Sequence, residues 1–507
     1  MSVSSTIITH PKDDVAIALK AISAGETVAH GIVVREPIAP GHKIALCSIK
    51  ESMPVLRYGQ IIGFASSDIA EGEHVHTHNL TMGDFERDYA FASKKNDNTK
   101  AVSDRTFMGY RRPGGNSATR NYIGIITTVN CSAHVAAAVS RYFEAIPGAN
   151  HDPLKAYPNV DGVVALTHST GCGMSRGEPL EILQRTLLGY AKHPNFSHIL
   201  IIGLGCEVNQ IGGLMVESNK RDNLKALSIQ STGGTKKTID AATDLIKSWL
   251  PESNAIQREP IPVAELCVAL ICGGSDGYSG VSANPALGVA SDLLVSHGAS
   301  VILSETPETY GAEHLLTRRA ESQEIGEKLV DVMRWWEDYG STQGASLNAN
   351  PSPGNKRGGL TTILEKSLGA LSKGGSSNLV DVVYYAQKSP KRGLIFMDAP
   401  GYDPVQVTGQ IASGANLVAF TTGRGSVFGS KPAPTLKLAS NSKMFAALAE
   451  DMDIDCGGIL DGTDTIDECG ARIFEALIEL ASGRKSQSER QNIGENEFAP
   501  WVLGPVI

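Results

Sequence analysis

The chain reads as a multidomain α/β protein: a small, mostly β N-terminal domain followed by two parallel-sheet, Rossmann-like α/β domains. Three observations predict this. The first ninety or so residues repeat Ile-x-x-Gly-x-x-(Val/Ile), at Ile22, Gly25, Val28, at Ile38, Gly41, Ile44 and at Ile69, Gly72, Val75, each a tight turn feeding a short strand. From Asn121 onward, apolar β-rich runs alternate with helical periodicity, the grammar of βαβ units and hence of a helix-covered parallel sheet. Two stretches without sustained apolar period, 94–116 and the Pro-rich 251–262, read as linkers. The expected division is 1–93, linker 94–116, 117–255 and 260–507.

Taken in order, 31–34 and 60–65 are strands of the first domain. In the second, strands are expected at 122–129, 161–166, 198–204 and 224–229, with helices near 134–145, 178–191 and 235–250. In the third, strands fall at 266–271, 300–304, 393–397 and 416–421, with helices at 285–297, 313–339 and 361–371. The tail, 482–496, offers no chemistry.

Composition bounds the function. The chain has 507 residues, 41% of them hydrophobic, and a formal charge of −9 from 45 Lys and Arg against 54 Asp and Glu. A mean hydropathy of −0.09 and spread charge exclude a disordered chain, and no apolar run approaches the ~20 residues that span a bilayer. The N-terminus lacks the pattern of a secretory signal, which predicts a cytoplasmic protein. An acidic total without Lys/Arg-rich runs argues against nucleic acid. Eight cysteines, none in a CxxC pair, form neither a disulfide scaffold nor a zinc ribbon. A homodimer is the base-rate expectation for a soluble chain.

In open parallel sheets, ligand binds outside the carboxyl ends of the strands, and here a cysteine follows a strand four times: Cys131, Cys172, Cys206 and Cys272. Free cysteine is often just a small buried hydrophobe, but the repeated placement, three times beside glycine, points to thiolate ligands, an anion site or a nucleophile. An iron–sulfur cluster on these four matches no compact motif spacing. Other strand ends carry Glu305, Asp398 and Arg424. A second constellation is His74, His76 and His78, which on a strand would share one face. Two imidazoles with oxygen donors suit Fe(II), Mn(II) or Zn(II). A third is the set of loops rich in Gly and small polar residues. NPSPGNKRGG (350–359), expected to be neither helix nor central strand, offers Asn355, Lys356 and Arg357. TTGRG (421–425) offers Thr422 and Arg424 for a carboxylate, and CGGSDG (272–277) offers Ser275 and Asp276. No GxGxxG or GxxxxGK[ST] follows a strand, which excludes a dinucleotide or ATP enzyme.

These strings resemble the altronate and galactarate dehydratase family. EGEHVHTHN, HSTGCG, IIGLGCE, CGGSDG with SGVSANPALG, NPSPGNKRGG and FTTGRG carry the resemblance, which runs from about residue 12 to 445. HVHTHN looks more like altronate dehydratases, YPNVDGVVALTH and 290–311 at least as much like galactarate dehydratases. The resemblance implies that the small domain is an SAF domain and that a sugar acid loses water to give a 2-keto-3-deoxy acid, with divalent iron or manganese. On this reading His74, His76 and His78, with Cys131, Cys172 and Cys206, approach the metal. His168 is the candidate base, and Asp276 or Glu207 the acid or orienting group. Arg424 and Lys356 hold the carboxylate, with Ser275, Asn355 and Thr422 contributing polar contacts. Two alternatives remain open: a related lyase, such as one releasing sulfite from a sulfolactate-like acid, and a non-catalytic module that binds carbohydrate acids.

Overall fold

The computed structural model describes residues 5–96, 104–113, 116–146, 151–217 and 223–504. The N-terminal domain is built of two small antiparallel sheets. One orders Thr6–Ile7, Val15–Ala18, Lys43–Ala45 and His74–Val75, the other Pro54–Arg57, Gln60–Ala65 and Leu80–Thr81. The repeat works as its residues dictate: Gly25, Gly41 and Gly72 all hold φ near +80° (85°, 81° and 79°), a conformation open to glycine at little steric cost. This domain shares its core with the C-terminal part, because Val15, Val55, Ile62 and Val75 belong to the same buried cluster as Ala283, Leu287 and Leu368.

The middle part carries a four-stranded parallel sheet in the spatial order Gly162–Leu166, Tyr122–Thr127, Phe196–Gly203, Leu224–Ser228. Ala133–Tyr142 and Thr235–Ala255 supply buried residues to one face. Glu178–Ala191 covers the other and packs on Asp403–Ala412 of the C-terminal part. There a seven-stranded parallel sheet runs Leu379–Val383, Leu394–Met397, Ser300–Leu303, Cys267–Cys272, Leu417–Thr422, Thr435–Ala439, Ile454–Asp455. Strand order reverses between Cys267–Cys272 and Leu417–Thr422. The loops after these two strands therefore part to opposite sides, which opens a crevice at the carboxyl edge.

Several expectations are corrected. Both linkers contain β-structure: Thr106–Arg111, at the end of one, pairs antiparallel with Arg258–Pro262, at the end of the other. Phe107 and Ile261 point inward with almost no exposure, and Pro260 and Pro262 are tolerated because Arg258–Pro262 is an edge strand. The preceding helix runs through Pro251 to Ala255. The single helix expected over 313–339 is two, His314–Thr317 and Gln323–Thr342, the second started afresh by Ser322, whose side chain accepts from Ile325 N. The strands Leu379–Val383 and Thr435–Ala439 and the helices Asp403–Ala412 and Ile466–Ala481 complete the C-terminal part.

Candidate functional site at the domain junction

The N-terminal domain is seated on the loops at the reversal point of the seven-stranded sheet. The seat is glycine against glycine: a Cβ on Gly277 or on Gly359 would collide with the carbonyl oxygen of Gly41. Tyr278 Oη donates to Ala18 O at 2.9 Å. Beneath the seat, Glu365 on the helix Ile363–Leu371 accepts from Lys43 Nζ at 2.9 Å and from Arg57 Nη1 at 2.6 Å, all three side chains being at most 1% exposed. Burial alone would raise the Glu365 carboxyl, but the two cations hold it down at about 2.

Seating brings imidazoles to the crevice. His42 follows Gly41 in its turn, and its Nδ1 lies 3.0 Å from His74 Nε2. Its Nε2 is 3.2 Å from the carbonyl oxygen of Arg357, across the domain junction. The expected strand through the histidines stops at Val75. The chain then turns, with Asn79 Oδ1 accepting from His76 N and Asn79 Nδ2 donating to His74 O. The turn, rather than strand alternation, gathers the rings: His42 and His76 have centroids 4.7 Å apart, His74 and His76 5.4 Å, His74 and His78 5.3 Å.

Among the described residues, three sets of donor atoms converge within 4.8 Å: His42, His74 and His76; Glu36, His74 and His78; and Cys272, Glu305 and Glu308. The first fits a divalent metal best. Burial, with His42 and His78 beside it, pushes His74 down to about 4, and burial with Lys43 pushes His76 down to about 3, which favours the neutral rings a metal needs. His76 Nδ1 is buried with no hydrogen-bond partner. A His42 ring that donates Nε2–H to the Arg357 carbonyl turns its Nδ1 lone pair toward the cluster, the arrangement that orients metal-bound histidines. In the third set cations already stand in place: Lys373 Nζ is 2.7 Å from Cys272 Sγ and Lys366 Nζ 2.6 Å from Glu308 Oε1.

That third set is a buried acid–base cluster at the ends of Cys267–Cys272 and Ser300–Leu303. Burial and Glu308 push Glu305 well up, against the pull of Lys373 and Lys366. Glu305 adopts φ +73°, and its Oε1 has no partner. Asp403 is pushed up to about 6 by burial and by Glu308. Gly273 makes room for Asp403, since a Cβ at Gly273 would overlap Asp403 Oδ2. Asp398 is instead held by Thr306 Oγ1 and Trp336 Nε1.

Among the other expected site residues, Arg424 is exposed on the loop after Leu417–Thr422 and its backbone N donates to Gly274 O. Thr422 Oγ1 accepts from Gly425 N. The 350–359 loop contains a short helix after all, Pro353–Arg357, because Ser352 and Asn355 form a capping box and Pro353 occupies the first turn. Asn355 is buried and donates to Ser275 O, while Lys356 is half-buried and Arg357 exposed. Asp276 is fully engaged as a turn former, accepting from Ser279 N, Tyr278 N and Ser440 Oγ. His168 is also committed: its Nε2 meets Thr127 O at 2.9 Å and its Nδ1 accepts from Thr170 N. Glu207 accepts from Thr128 Oγ1 and Gly205 N, both at 2.6 Å. Cys131, Cys172 and Cys206 lie with Glu207 on the middle sheet, and none of them joins a three-donor set with the imidazoles. Cys272 belongs to the other sheet and is buried. A cavity of about 950 Å³ opens at the opposite, amino-terminal end of the strands, beside Leu266, Cys267 and Ser300, away from this chemistry.

A β domain closing imidazoles over the carboxyl edge of a parallel sheet defines a multidomain α/β enzyme architecture. The chain belongs to the D-galactarate/altronate dehydratase family. The family's SAF domain matches residues 4–83, its second domain 109–254 and its C-terminal domain 263–506. The chain is 37% identical to the altronate dehydratase of Bacillus subtilis (strain 168), over 97% of this chain and 98% of that protein. It is 36% identical to the galactarate dehydratase (L-threo-forming) of Escherichia coli (strain K12), over 98% and 96%. The (2R)-sulfolactate sulfo-lyase subunit beta of Chromohalobacter salexigens is 32% identical over 78% of this chain and 97% of that protein.

Proposed function

We propose that the protein is a hydro-lyase that removes water from a sugar acid such as altronate or galactarate and yields a 2-keto-3-deoxy acid. The observation that carries this is the set of neutral imidazoles which seating of the SAF domain brings to the carboxyl-edge crevice. His42, His74 and His76 would hold a divalent ion, Fe(II) or Mn(II), whose chemistry when bound is that of a Lewis acid toward the substrate's oxygens. The chain's own groups handle binding and protons. Arg424 and Lys356 hold the substrate carboxylate, backed by the Ser275, Asn355 and Thr422 turns. Asp403, half ionised near pH 6, takes the proton α to that carboxylate, and Glu305, kept protonated by burial, gives a proton to the departing β-hydroxyl. His168, Asp276 and Glu207 act as positioning residues, since their polar atoms are spent on the turns that shape the two sheet edges. The reading includes two doubly wound, Rossmann-like sheets, a homodimer and a cytoplasmic location; no described helix is long and apolar enough to cross a membrane.

The test is an anaerobic assay of metal-stripped protein against a panel of aldonic and aldaric acids, with Fe(II), Mn(II), Mg(II) or no metal. A 2-keto-3-deoxy product that appears with altronate or galactarate only when metal is added is the expected result. No product from any sugar acid under any metal overturns the reading, and sulfite release from sulfolactate replaces it.

A further inference from the structure

The middle sheet has a reversal point of its own, and three thiols surround it. Gly162–Leu166, Tyr122–Thr127 and Phe196–Gly203 are neighbours in the sheet, with Tyr122–Thr127 in the centre. The chain passes from the central strand to one side and then crosses to the other, so the reversal lies between Tyr122–Thr127 and Phe196–Gly203. Cys131 follows the central strand, Cys172 follows one neighbour and Cys206 the other. Strands lie about 4.8 Å apart, so the outer two are separated by roughly 10 Å.

The three loops are bound into one surface. Asn130 N donates to Thr170 O at 3.0 Å, and Asn209 N to Gly171 O at 3.1 Å. Asn209 Nδ2 donates to Thr128 O at 3.0 Å, and Glu207 clamps Thr128 and Gly205 as described. A Cβ on Gly171 would collide with Thr128 O, so these loops touch at the backbone. Glycines at φ +103° and +60° flank Cys172, and one at +127° precedes Cys206; such loops turn backbone N–H groups toward a bound anion or sulfur.

All three thiols are free and exposed, although free cysteine is among the most buried of residue types. They form no three-donor set within 4.8 Å, the spacing at which one ion could take them all. A cluster of several irons spreads its thiolates more widely than a single ion does. We propose that Cys131, Cys172 and Cys206 ligate a four-iron, four-sulfide cluster, with three irons held by thiolate and the fourth open to an oxygen ligand. No converging set of donor atoms joins these thiols to the imidazoles, and the inference does not depend on which sugar acid the enzyme takes.

The test is anaerobic reconstitution of the full chain with ferric iron, sulfide and a thiol, which gives up two electrons per four irons as it is oxidised to disulfide, followed by desalting. The expected result is about four irons and about four acid-labile sulfides per chain, with a broad visible absorption band. Cys131→Ser, Cys172→Ser and Cys206→Ser each lose the sulfide and the band while keeping the wild-type circular dichroism. Cys47→Ser, at an exposed cysteine of the first domain, keeps both. Iron bound without sulfide, a cluster that survives all three substitutions, or a disulfide between two of the three in protein purified without oxygen would each overturn the proposal. Loss of the cluster with product formation retained would leave the dehydratase reading standing, and the reverse outcome would separate the two the other way.

Discussion

Glu365→Gln removes the one anion that two buried cations share. The Glu365 carboxylate, fully buried, sits 2.9 Å from Lys43 Nζ and 2.6 Å from Arg57 Nη1 and also takes Thr361 N and Oγ1 at 2.9 and 2.6 Å. Its ionisation lies at about 2 against an ordinary 4.5, a depression worth about 3 kcal/mol. Stranding the cations adds to this, so the loss should fall at about 3–5 kcal/mol. Because the folded value is depressed, the contribution is complete above the unfolded carboxyl range and fades as pH falls through about 2. The loss is local to the seat of the SAF domain, so hydrogen exchange read peptide by peptide is the assay. Amides of Lys43–Ala45 and Pro54–Arg57 should exchange between about 100-fold and a few thousand-fold faster in the variant, while those of Phe196–Gly203 stay unchanged. Acceleration below about tenfold at the first two strands would refute the claim that this triad holds the junction.

Three further outcomes follow from the same geometry. His42→Ala and His76→Ala should each lower Fe(II) or Mn(II) affinity by at least about tenfold in equilibrium dialysis, whereas His168→Gln should leave it unchanged. Asp403→Asn should remove the acidic limb of the kcat/KM profile: the wild type, whose base ionises near 6, should gain rate as pH rises through that value, and a profile unchanged in the variant would exclude Asp403 as base. Gly277→Ala should cost about 1–3 kcal/mol in urea unfolding, because its methyl is driven into Gly41 O, and Gly354→Ala, with no contact closer than 3.7 Å, should cost less.

The alternation of apolar runs and helical periods is legible because parallel strands buried on both faces are written as continuous Val/Ile/Leu stretches, as in Phe196–Gly203, buried at every position. The helix Pro353–Arg357 is not, since Pro and Gly argue locally for a loop while its capping box decides the outcome. Of the three imidazoles proposed to hold a metal, His74 and His76 stand out in one string. The third, His42, is 32 residues before His74 and is marked only by its place after Gly41, the middle glycine of the repeat. Glu305 is visible as a strand-end acid, but Lys366, Lys373 and Asp403 come from helices distant in sequence, and only tertiary packing brings them to Glu308, Cys272 and Gly273. His168, Asp276 and Glu207 are visible by residue type and strand-end placement; the hydrogen bonds by which each one closes a turn are not displayed by a linear pattern.

The pairing of Thr106–Arg111 with Arg258–Pro262 has an architectural consequence. Tyr110 and Arg258 are partners in the ladder, so the chain leaves for the four-stranded unit and comes back at nearly the same point. The unit is topologically a cassette on a two-rail stem, spliced into a body made by the two ends of the polypeptide. A tight hairpin turn could bridge the backbone gap left by excising it, but the excision would bare the side of the C-terminal sheet whose Ile271 and Phe420 share a buried cluster with Tyr122 and Ile199 of the cassette.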